Sequence, residues 1–286
     1  MEAPKPSPEH DQLFLSKLEE VLLFLKESYG SRSVEELEEE IMTKAKTDVQ
    51  DLNLQKQVEF LSLLKQVLSA YKYAAEKHAH QVRESGEPYI MHPLYVAMNE
   101  IYHQKHEKGL YNESPIIAAL LHDTVEDTDA RFTDINAQFG ERMEHLVTNL
   151  TNKPEWDEWK KKGMLTASEK SALQFINAIK DDDSLAVKFG DRMHNLETIR
   201  HKEPKKQVQK ILDTLRVGLV SQAEKMEEYH FLTQLYITIK RYLTDENLEL
   251  YSDDVEQAKK TRDDALEEIR AILRRHQDKI APKTHL

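Results

Sequence analysis

The 286-residue chain is predicted to be all-α. Seven glycines and nine prolines are few for this length, which disfavours a β-rich fold with many tight turns. Apolar residues recur at helical spacing along almost the whole chain. Hydrophobic residues make up 39% and charged residues 32%, a balance typical of a soluble helical protein. The length suits one large domain, or one core with helical additions.

Apolar stripes and capping residues divide the first third of the chain into helices. The first is predicted over residues 9–29, and Gly30 ends it. Ser33 caps the second, with Glu36 completing a capping box. A long third helix is predicted over residues 51–82.

The middle of the chain has clear helix starts. Pro93 suits the first turn of one helix, and Ser114 and Pro115 begin another. Thr133 is predicted to cap a helix that ends near Gly140.

The last third begins with the least periodic segment. Residues 151–167 are predicted to form a mobile loop. Ser168 caps a helix that runs to about Asp182, and Ser184 begins the next. Pro204 marks a boundary, after which helices continue almost to the end.

Charge and composition exclude several classes of function. The net charge is −12 without a long basic run, so general nucleic-acid binding is not expected. No apolar run approaches the roughly 20 residues of a membrane span. Residues 1–11 lack the basic and apolar parts of a signal peptide, and no cysteine is present. A cytoplasmic protein is the expectation.

The pair His122-Asp123 is the strongest chemical signal. It ends an apolar helical run, so burial is expected, and a buried carboxylate needs a partner or a metal. Glu126 and Asp127 follow within one helical turn. The alternative is a solvated acidic helix end.

Two further blocks supply residues of the same chemical type. His92 precedes Pro93, and Asp191 lies in a helical pattern. Two histidines and two aspartates from three blocks can form an octahedral site for a divalent cation such as Mn²⁺. The alternatives are a helix-start role for His92 and a surface ion pair of Asp191 with Arg192 or Lys188.

Three long motifs resemble the hydrolase domain of the Rel/Spo alarmone enzymes. They read RESGEPYIMHP at 83–93, AALLHDTVEDT at 118–128 and KFGDRMHNLET at 188–198. The resemblance covers about residues 71–200. It implies an all-helical HD-domain metal-dependent phosphohydrolase, with Mn²⁺ as cofactor, that removes the 3′ pyrophosphate from (p)ppGpp.

The resemblance also implies roles for individual residues. The metal ligands would be His92, His122, Asp123 and Asp191. The attacking water would be oriented or deprotonated by Glu126 and Asp127.

Substrate contacts are implied as well. Arg83 would pack on the nucleobase, and Ser85, Asn195 and Thr198 would be polar contacts. Lys188 is a candidate cation near the phosphates, with an exposed helix-surface lysine as the alternative reading.

Two positions depart from the family pattern. Glu84 and Glu197 stand where the family usually has Lys and Arg. Added negative charge near an anionic substrate suggests a related hydrolase of (p)ppApp or NADPH as an alternative. A non-catalytic alarmone-binding module is a rival from another class, and an antitoxin role is compatible with hydrolysis.

The resemblance divides the chain into three regions. The HD hydrolase core is predicted at 51–203, between an N-terminal helical extension at 1–50 and a C-terminal one at 204–286. The extensions cover the core or form a homodimer interface. The C-terminal region is too short for the synthetase domain of larger family members.

Overall fold

The computed structural model describes residues 54–108 and 111–280, together with scattered helical positions between residues 16 and 43. The helices predicted at 9–29 and after Ser33 lie mostly outside the described residues. Within the described part there is no strand, only an isolated bridge between Val82 and Pro88. The all-α prediction is therefore confirmed there. No described helix is both long and apolar enough to cross a membrane.

The described residues form two compact units. The first comprises the described residues within 1–152 and 177–191, and the second those within 153–176 and 192–286. Within residues 54–152, the α-helices of this unit are α1 (Leu54–Lys77), α2 (Met91–His103), α3 (Glu113–Leu121), α4 (Thr124–Asp127), α5 (Phe132–Phe139) and α6 (Glu141–Leu150).

The remaining helices belong wholly or partly to the second unit. They are α7 (Pro154–Lys161), α8 (Ala167–Ala178), α9 (Asp182–Glu197), α10 (Pro204–Arg216), α11 (Leu219–Lys225), α12 (Tyr229–Tyr242), α13 (Asp245–Tyr251) and α14 (Val255–Ile280). The first ten residues of α9 belong to the first unit.

Helix α3 is the centre of the first unit. It packs against α1, α2 and α6, and its side chains from Pro115 to Leu121 are all buried. Asn112 caps its start, because the side-chain oxygen accepts a hydrogen bond from the amide of Ser114. A helix that is apolar on every side belongs in a core. Its last turn therefore delivers the following residue, His122, into the interior.

Helix α9 approaches α2 closely at Gly190. A Cβ atom at this position would lie 3.0 Å from Cγ1 of Val96 and 3.2 Å from its carbonyl oxygen. The missing side chain allows the two backbones to meet beside the next residue, Asp191. Glycine thus sets the distance between the two helices here.

The second unit is built around α14. This helix packs against α10, α11, α12 and α13. Arg262 joins it to the α12–α13 connection, since its guanidinium donates to the Leu243 carbonyl at 3.1 Å and to Asp245 at 2.6 Å.

Several predicted element boundaries were wrong. The long α1 ends at Lys77, and the chain then turns as far as Tyr89. Helix α5 is capped by Arg131 with Asp134, not by Thr133. Residues 151–167 contain α7, where proline begins the helix and acidic and basic residues match its dipole. The mobile-loop prediction missed these signals because the segment is short and has only one buried aromatic residue, Trp156.

Candidate metal centre

Three potential metal ligands meet in the first unit. Ligand atoms of His92, His122 and Asp191 all lie within 4.8 Å of one another, and all three residues are buried. His92 comes from the first turn of α2, His122 follows α3, and Asp191 comes from α9. Residues far apart in sequence thus converge on one point.

Asp123 lies next to these three residues. Its Oδ2 lies 3.1 Å from Nε2 of His122 and 3.5 Å from Nε2 of His92. Oδ1 of Asp191 lies 3.4 Å from the same nitrogen of His92. We call these four residues the metal cluster.

The ring of His122 is oriented by the backbone. Its Nδ1 lies 2.8 Å from the carbonyl oxygen of Ala119 and donates to it. This bond directs Nε2 towards the carboxylates. Nε2 is buried and has no hydrogen-bond partner among the described residues, although Asp123 is close. Two imidazole nitrogens and two carboxylates that converge on one point are a donor set that fits a divalent metal ion.

Electrostatics within the cluster favour ionised acids. Burial opposes ionisation of Asp123, but the neighbouring His122 and His92 hold its pKa well below the usual range. Burial also opposes ionisation of Asp191, and there Lys188 and His92 lower the pKa. Metal ligation needs carboxylates in this form.

The two histidines of the cluster differ in the direction of their pKa shifts. Burial lowers the pKa of His92, as suits a neutral ligand. Burial would also lower the pKa of His122, but Asp123 and Asp191 override it and raise the pKa to about 9. Without a metal, a proton on His122 compensates the acids. A metal ion that binds must displace that proton.

Lys188 is part of the same arrangement. Its Nζ lies 2.8 Å from Oδ2 of Asp191, and both side chains are about 90% buried. The reading of Lys188 as an exposed surface lysine was therefore wrong. Oδ2 of Asp191 forms the ion pair with Lys188, and the other carboxylate oxygen, Oδ1, faces His92.

Glu126 and Asp127 lie in α4, directly after the cluster, and reach solvent. Both oxygens of Glu126 accept hydrogen bonds from Asn152, one from the backbone amide at 3.1 Å and one from the side-chain amide. Burial raises the pKa of Glu126, and burial followed by the charge of Asp123 raises that of Asp127. Raised carboxyl pKa values suit groups that exchange protons near neutral pH.

Tyr89 connects the metal cluster to α4. Its hydroxyl oxygen lies 2.7 Å from Oδ2 of Asp123 and 2.8 Å from Oδ2 of Asp127. Burial, reinforced by both acids, raises the pKa of Tyr89, so the hydroxyl keeps its hydrogen. Sequence reasoning assigned no role to Tyr89 or to Asn152. Tyr89 belongs to the sequence motif at 83–93, whereas no sequence pattern pointed to Asn152.

The turn before α2 carries two of the proposed substrate residues. Arg83 lies 6.0 Å from the ring centre of Tyr89, which places it beside the cluster. Oγ of Ser85 donates to Glu87 at 3.0 Å. Gly86 has a φ of 87°, a left-handed conformation that closes this turn without strain.

The other two proposed substrate residues belong to the second unit. Asn195 is half-buried near the end of α9, and Thr198 follows that helix. Oγ1 of Thr198 donates to the carbonyl of His194 at 2.8 Å. These residues share a helix with Asp191 or follow it directly, but they are not among the groups that meet in the cluster.

Comparison with known proteins gives the family. A profile of the HD domain matches residues 70–217. The chain belongs to the HD domain family. The fold class inferred from the motifs is thereby confirmed.

Curated relatives have names from alarmone metabolism. Over 213 residues the chain is 32% identical to a guanosine-3′,5′-bis(diphosphate) 3′-pyrophosphohydrolase of Aquifex aeolicus, covering 70% of this chain and 27% of the relative. It is 35% identical over 175 residues to a probable GTP pyrophosphokinase of Mycobacterium leprae, covering 58% and 21%. The chain thus spans about a quarter of the length of these relatives. The predicted resemblance to Rel/Spo enzymes is confirmed.

The chain is also similar to a solved structure of a metazoan orthologue of SpoT, a protein described as hydrolysing ppGpp and playing a role in starvation responses. The sequence identity is 24% and the TM-score 0.40, over 71% of this chain and 93% of the other.

Proposed function

We propose that the protein is a Mn²⁺-dependent (p)ppGpp 3′-pyrophosphohydrolase. It would use water to split the 3′ diphosphate from the nucleotide, giving pyrophosphate and GDP or GTP. The observation that carries the proposal is the buried Nε2 of His122, which faces carboxylates without a hydrogen-bond partner among the described residues. The name of the Aquifex relative supports the substrate.

In this proposal His92, His122, Asp123 and Asp191 hold the ion. When bound, a divalent ion lowers the pKa of a water molecule and stabilises negative charge on phosphoryl oxygens. The described residues favour Mn²⁺ or a similar ion, because imidazole and carboxylate ligands are mixed and thiolates are absent from the sequence.

Glu126 and Asp127 would act on the water. Both carboxyl groups lie one helical turn beyond the cluster, and burial raises the pKa of both. A carboxylate there can orient the water and accept its proton as the oxygen attacks phosphorus. The proton would later pass to the departing 3′ oxygen of the nucleotide or to solvent.

The proposed substrate contacts are those that the resemblance to the Rel/Spo enzymes implies. Arg83 would pack on the nucleobase, with Ser85, Asn195 and Thr198 as polar contacts. Lys188 would act near the phosphates from its ion pair with Asp191. Its charge there limits the negative potential that an anionic substrate meets.

A second substrate class has a specific observation in its favour. Glu84 and Glu197 are both exposed, and they stand where the resembling family usually has basic residues. Negative charge there opposes binding of (p)ppGpp, and we therefore keep (p)ppApp or NADPH as the alternative substrate. A protein that only binds alarmones is a further alternative, and it predicts binding without turnover.

We also propose a homodimer through the terminal helices. An exposed groove on α14 is lined by Asp263, Leu266, Glu267, Arg270, Ala271 and Arg274. In an antiparallel pair with a second copy, Asp263 would face Arg274, and Glu267 would face Arg270. Reversing the charges of Arg270 and Arg274 would then lower the mass measured by light scattering, and reversing Asp263 and Glu267 as well would restore it. A cytoplasmic location stays a prediction.

The deciding experiment uses metal-stripped protein. ppGpp, ppApp and NADPH would each be incubated with and without Mn²⁺, and the products separated by ion-exchange chromatography. Mn²⁺-dependent release of GDP and pyrophosphate from ppGpp supports the proposal. If only ppApp or only NADPH is hydrolysed, that nucleotide would replace ppGpp as the proposed substrate. If none of the three nucleotides is hydrolysed although ppGpp still binds, the result would favour a non-catalytic alarmone-binding protein.

A further inference from the structure

Tyr89 bridges a metal-cluster acid and a catalytic-candidate acid. One phenol oxygen lies within 2.8 Å of Oδ2 of both Asp123 and Asp127. A phenol carries one hydrogen and two lone pairs, so it donates to one carboxylate at a time. A single side chain thus fixes the spacing between the two acids.

The position of Tyr89 is itself determined by several contacts. Its ring stacks on His78, with ring centres 4.6 Å apart and planes 25° apart. Its amide donates to the carbonyl of Gln81 at 2.9 Å. The Gln81 side chain in turn contacts His78 and donates to the backbone carbonyl of Asp127 at 2.6 Å. The turn before α2 therefore holds both the backbone and the carboxylate of Asp127.

The two acids of α4 are held in different ways. Asn152 occupies both oxygens of Glu126. Tyr89 occupies only Oδ2 of Asp127, and Oδ1 receives no hydrogen bond from any described residue. Of the two carboxylates, Asp127 is the one with an oxygen that accepts no hydrogen bond from a described residue.

We propose that Tyr89 is the positioning residue of the hydrolytic step. Its hydroxyl lies 2.8 Å from Oδ2 of Asp127 and 2.7 Å from Oδ2 of the proposed metal ligand Asp123, and it leaves Oδ1 of Asp127 for the attacking water. Glu126, restrained by Asn152, then has a supporting role. This inference rests on the proposed hydrolase function and assigns the water-directed role to one of its two acids.

The test compares two substitutions of the same kind. Tyr89→Phe keeps the ring stacked on His78 and removes only the bridging hydroxyl. Tyr73→Phe is the matched control, because the Tyr73 hydroxyl is buried in the same unit without a hydrogen-bond partner among the described residues. At saturating Mn²⁺, kcat for ppGpp should fall about 10- to 100-fold in Tyr89→Phe with KM unchanged, as is usual for residues that orient metal ligands or their neighbours. Tyr73→Phe should match the wild type in both constants.

A double-mutant cycle then asks through which acid Tyr89 acts. If Tyr89 works by holding Asp127, adding Tyr89→Phe to Asp127→Asn should cause little further loss of kcat. Multiplicative losses, or an unchanged kcat in Tyr89→Phe, would overturn the inference.

A spectroscopic readout separates this inference from the proposed function. If the wild type hydrolyses none of the nucleotides, the proposed hydrolase function is wrong. The electron paramagnetic resonance spectrum of bound Mn²⁺ then still tests whether Tyr89 positions the metal cluster. The spectrum should change in Tyr89→Phe and not in Tyr73→Phe, because Tyr89 contacts a proposed ligand. Identical spectra would refute the positioning role independently of any activity.

Discussion

Two acidic clusters of the first unit differ in how their carboxylates are satisfied. In the first, Arg142 donates to Asp181 at 2.5 and 3.0 Å and to Asp183 at 2.5 Å, and Asn112 donates to Asp183 at 2.6 Å. We call this group the arginine network. Its guanidinium is 46% exposed.

The metal cluster has as many acids, but its partners differ. Imidazole nitrogens face Asp123 and Asp191, and Nε2 of His122 lacks a hydrogen-bond partner among the described residues. Arg142 compensates both acids of the arginine network, whereas the metal cluster without an ion relies on Lys188 and on the proton of His122. An acidic cluster is therefore informative about function when it is buried and its hydrogen bonds are incomplete.

The largest expected difference between the clusters is in catalysis. Asp191→Asn should reduce Mn²⁺-dependent turnover of ppGpp to background, because it removes an anionic ligand. Asp181→Asn makes the same change in the arginine network and should keep wild-type turnover. Equal activities of the two variants in one chromatographic assay would show that the metal cluster is not the reactive site.

Loss of the buried cation should be the largest effect on stability. Lys188→Met removes the ammonium group that pairs with the buried Asp191, which typically costs about 3 kcal/mol of unfolding free energy. Saturating Mn²⁺ should recover part of this loss, because the ion supplies positive charge to the same carboxylate. Urea unfolding with and without Mn²⁺ measures both values. A variant as stable as the wild type without metal would mean that the pair does not offset the charge of Asp191.

The pH dependence should distinguish metal-free from metal-bound protein. The pKa of His122 is about 9 in the folded protein, above its ordinary value. Its protonation therefore stabilises the metal-free protein fully below about pH 6.5, and this contribution, on the order of 3 kcal/mol, is lost as the pH rises through about 9.

Mn²⁺ must displace the same proton. Its affinity should therefore increase with pH by about tenfold per unit between pH 6.5 and 8. Calorimetric titration in buffers of different ionisation enthalpy would count the released proton. Binding that is independent of pH and releases no proton would contradict this role of His122.

The smallest effect is expected in the arginine network. Burial opposes ionisation of Asp181, but Arg142 lowers its pKa. This carboxylate therefore adds stability at neutral pH that is lost as the pH falls through the lowered pKa. Since about half of the arginine side chain is exposed, Arg142→Gln should cost less than about 1 kcal/mol at pH 7. Thermal unfolding of the wild type and Arg142→Gln at pH 7 and pH 3 measures the loss of stability caused by the substitution. This loss should be smaller at pH 3, and a larger loss there would contradict the prediction.

Much of the fold could be predicted because helical periodicity is a local signal. The all-α class and the core helix before His122 followed from apolar spacing. The boundaries were less accurate, since Lys77 and Arg131 end or cap helices through contacts that spacing does not encode. Helix α7 was mistaken for a mobile loop because its proline start and ordered charges are weaker signals than periodicity.

The proposed ligand types of the site were visible in three motifs, whereas their partners were not. The contact of Lys188 with Asp191 joins residues one turn apart, yet its burial depends on the packing of α9. Asn152 meets Glu126 across 26 positions, and Tyr89 meets Asp123 across 34. Such contacts depend on how helices pack, which one sequence does not reveal.

The most direct test of the metal cluster is the number of Mn²⁺ ions bound per chain, measured by titration calorimetry. The wild type and Asp181→Asn should each bind one ion with equal affinity, and His122→Ala should bind none in the same concentration range. No binding by the wild type, or an unchanged affinity in His122→Ala, would contradict the assignment of these buried residues as a metal centre.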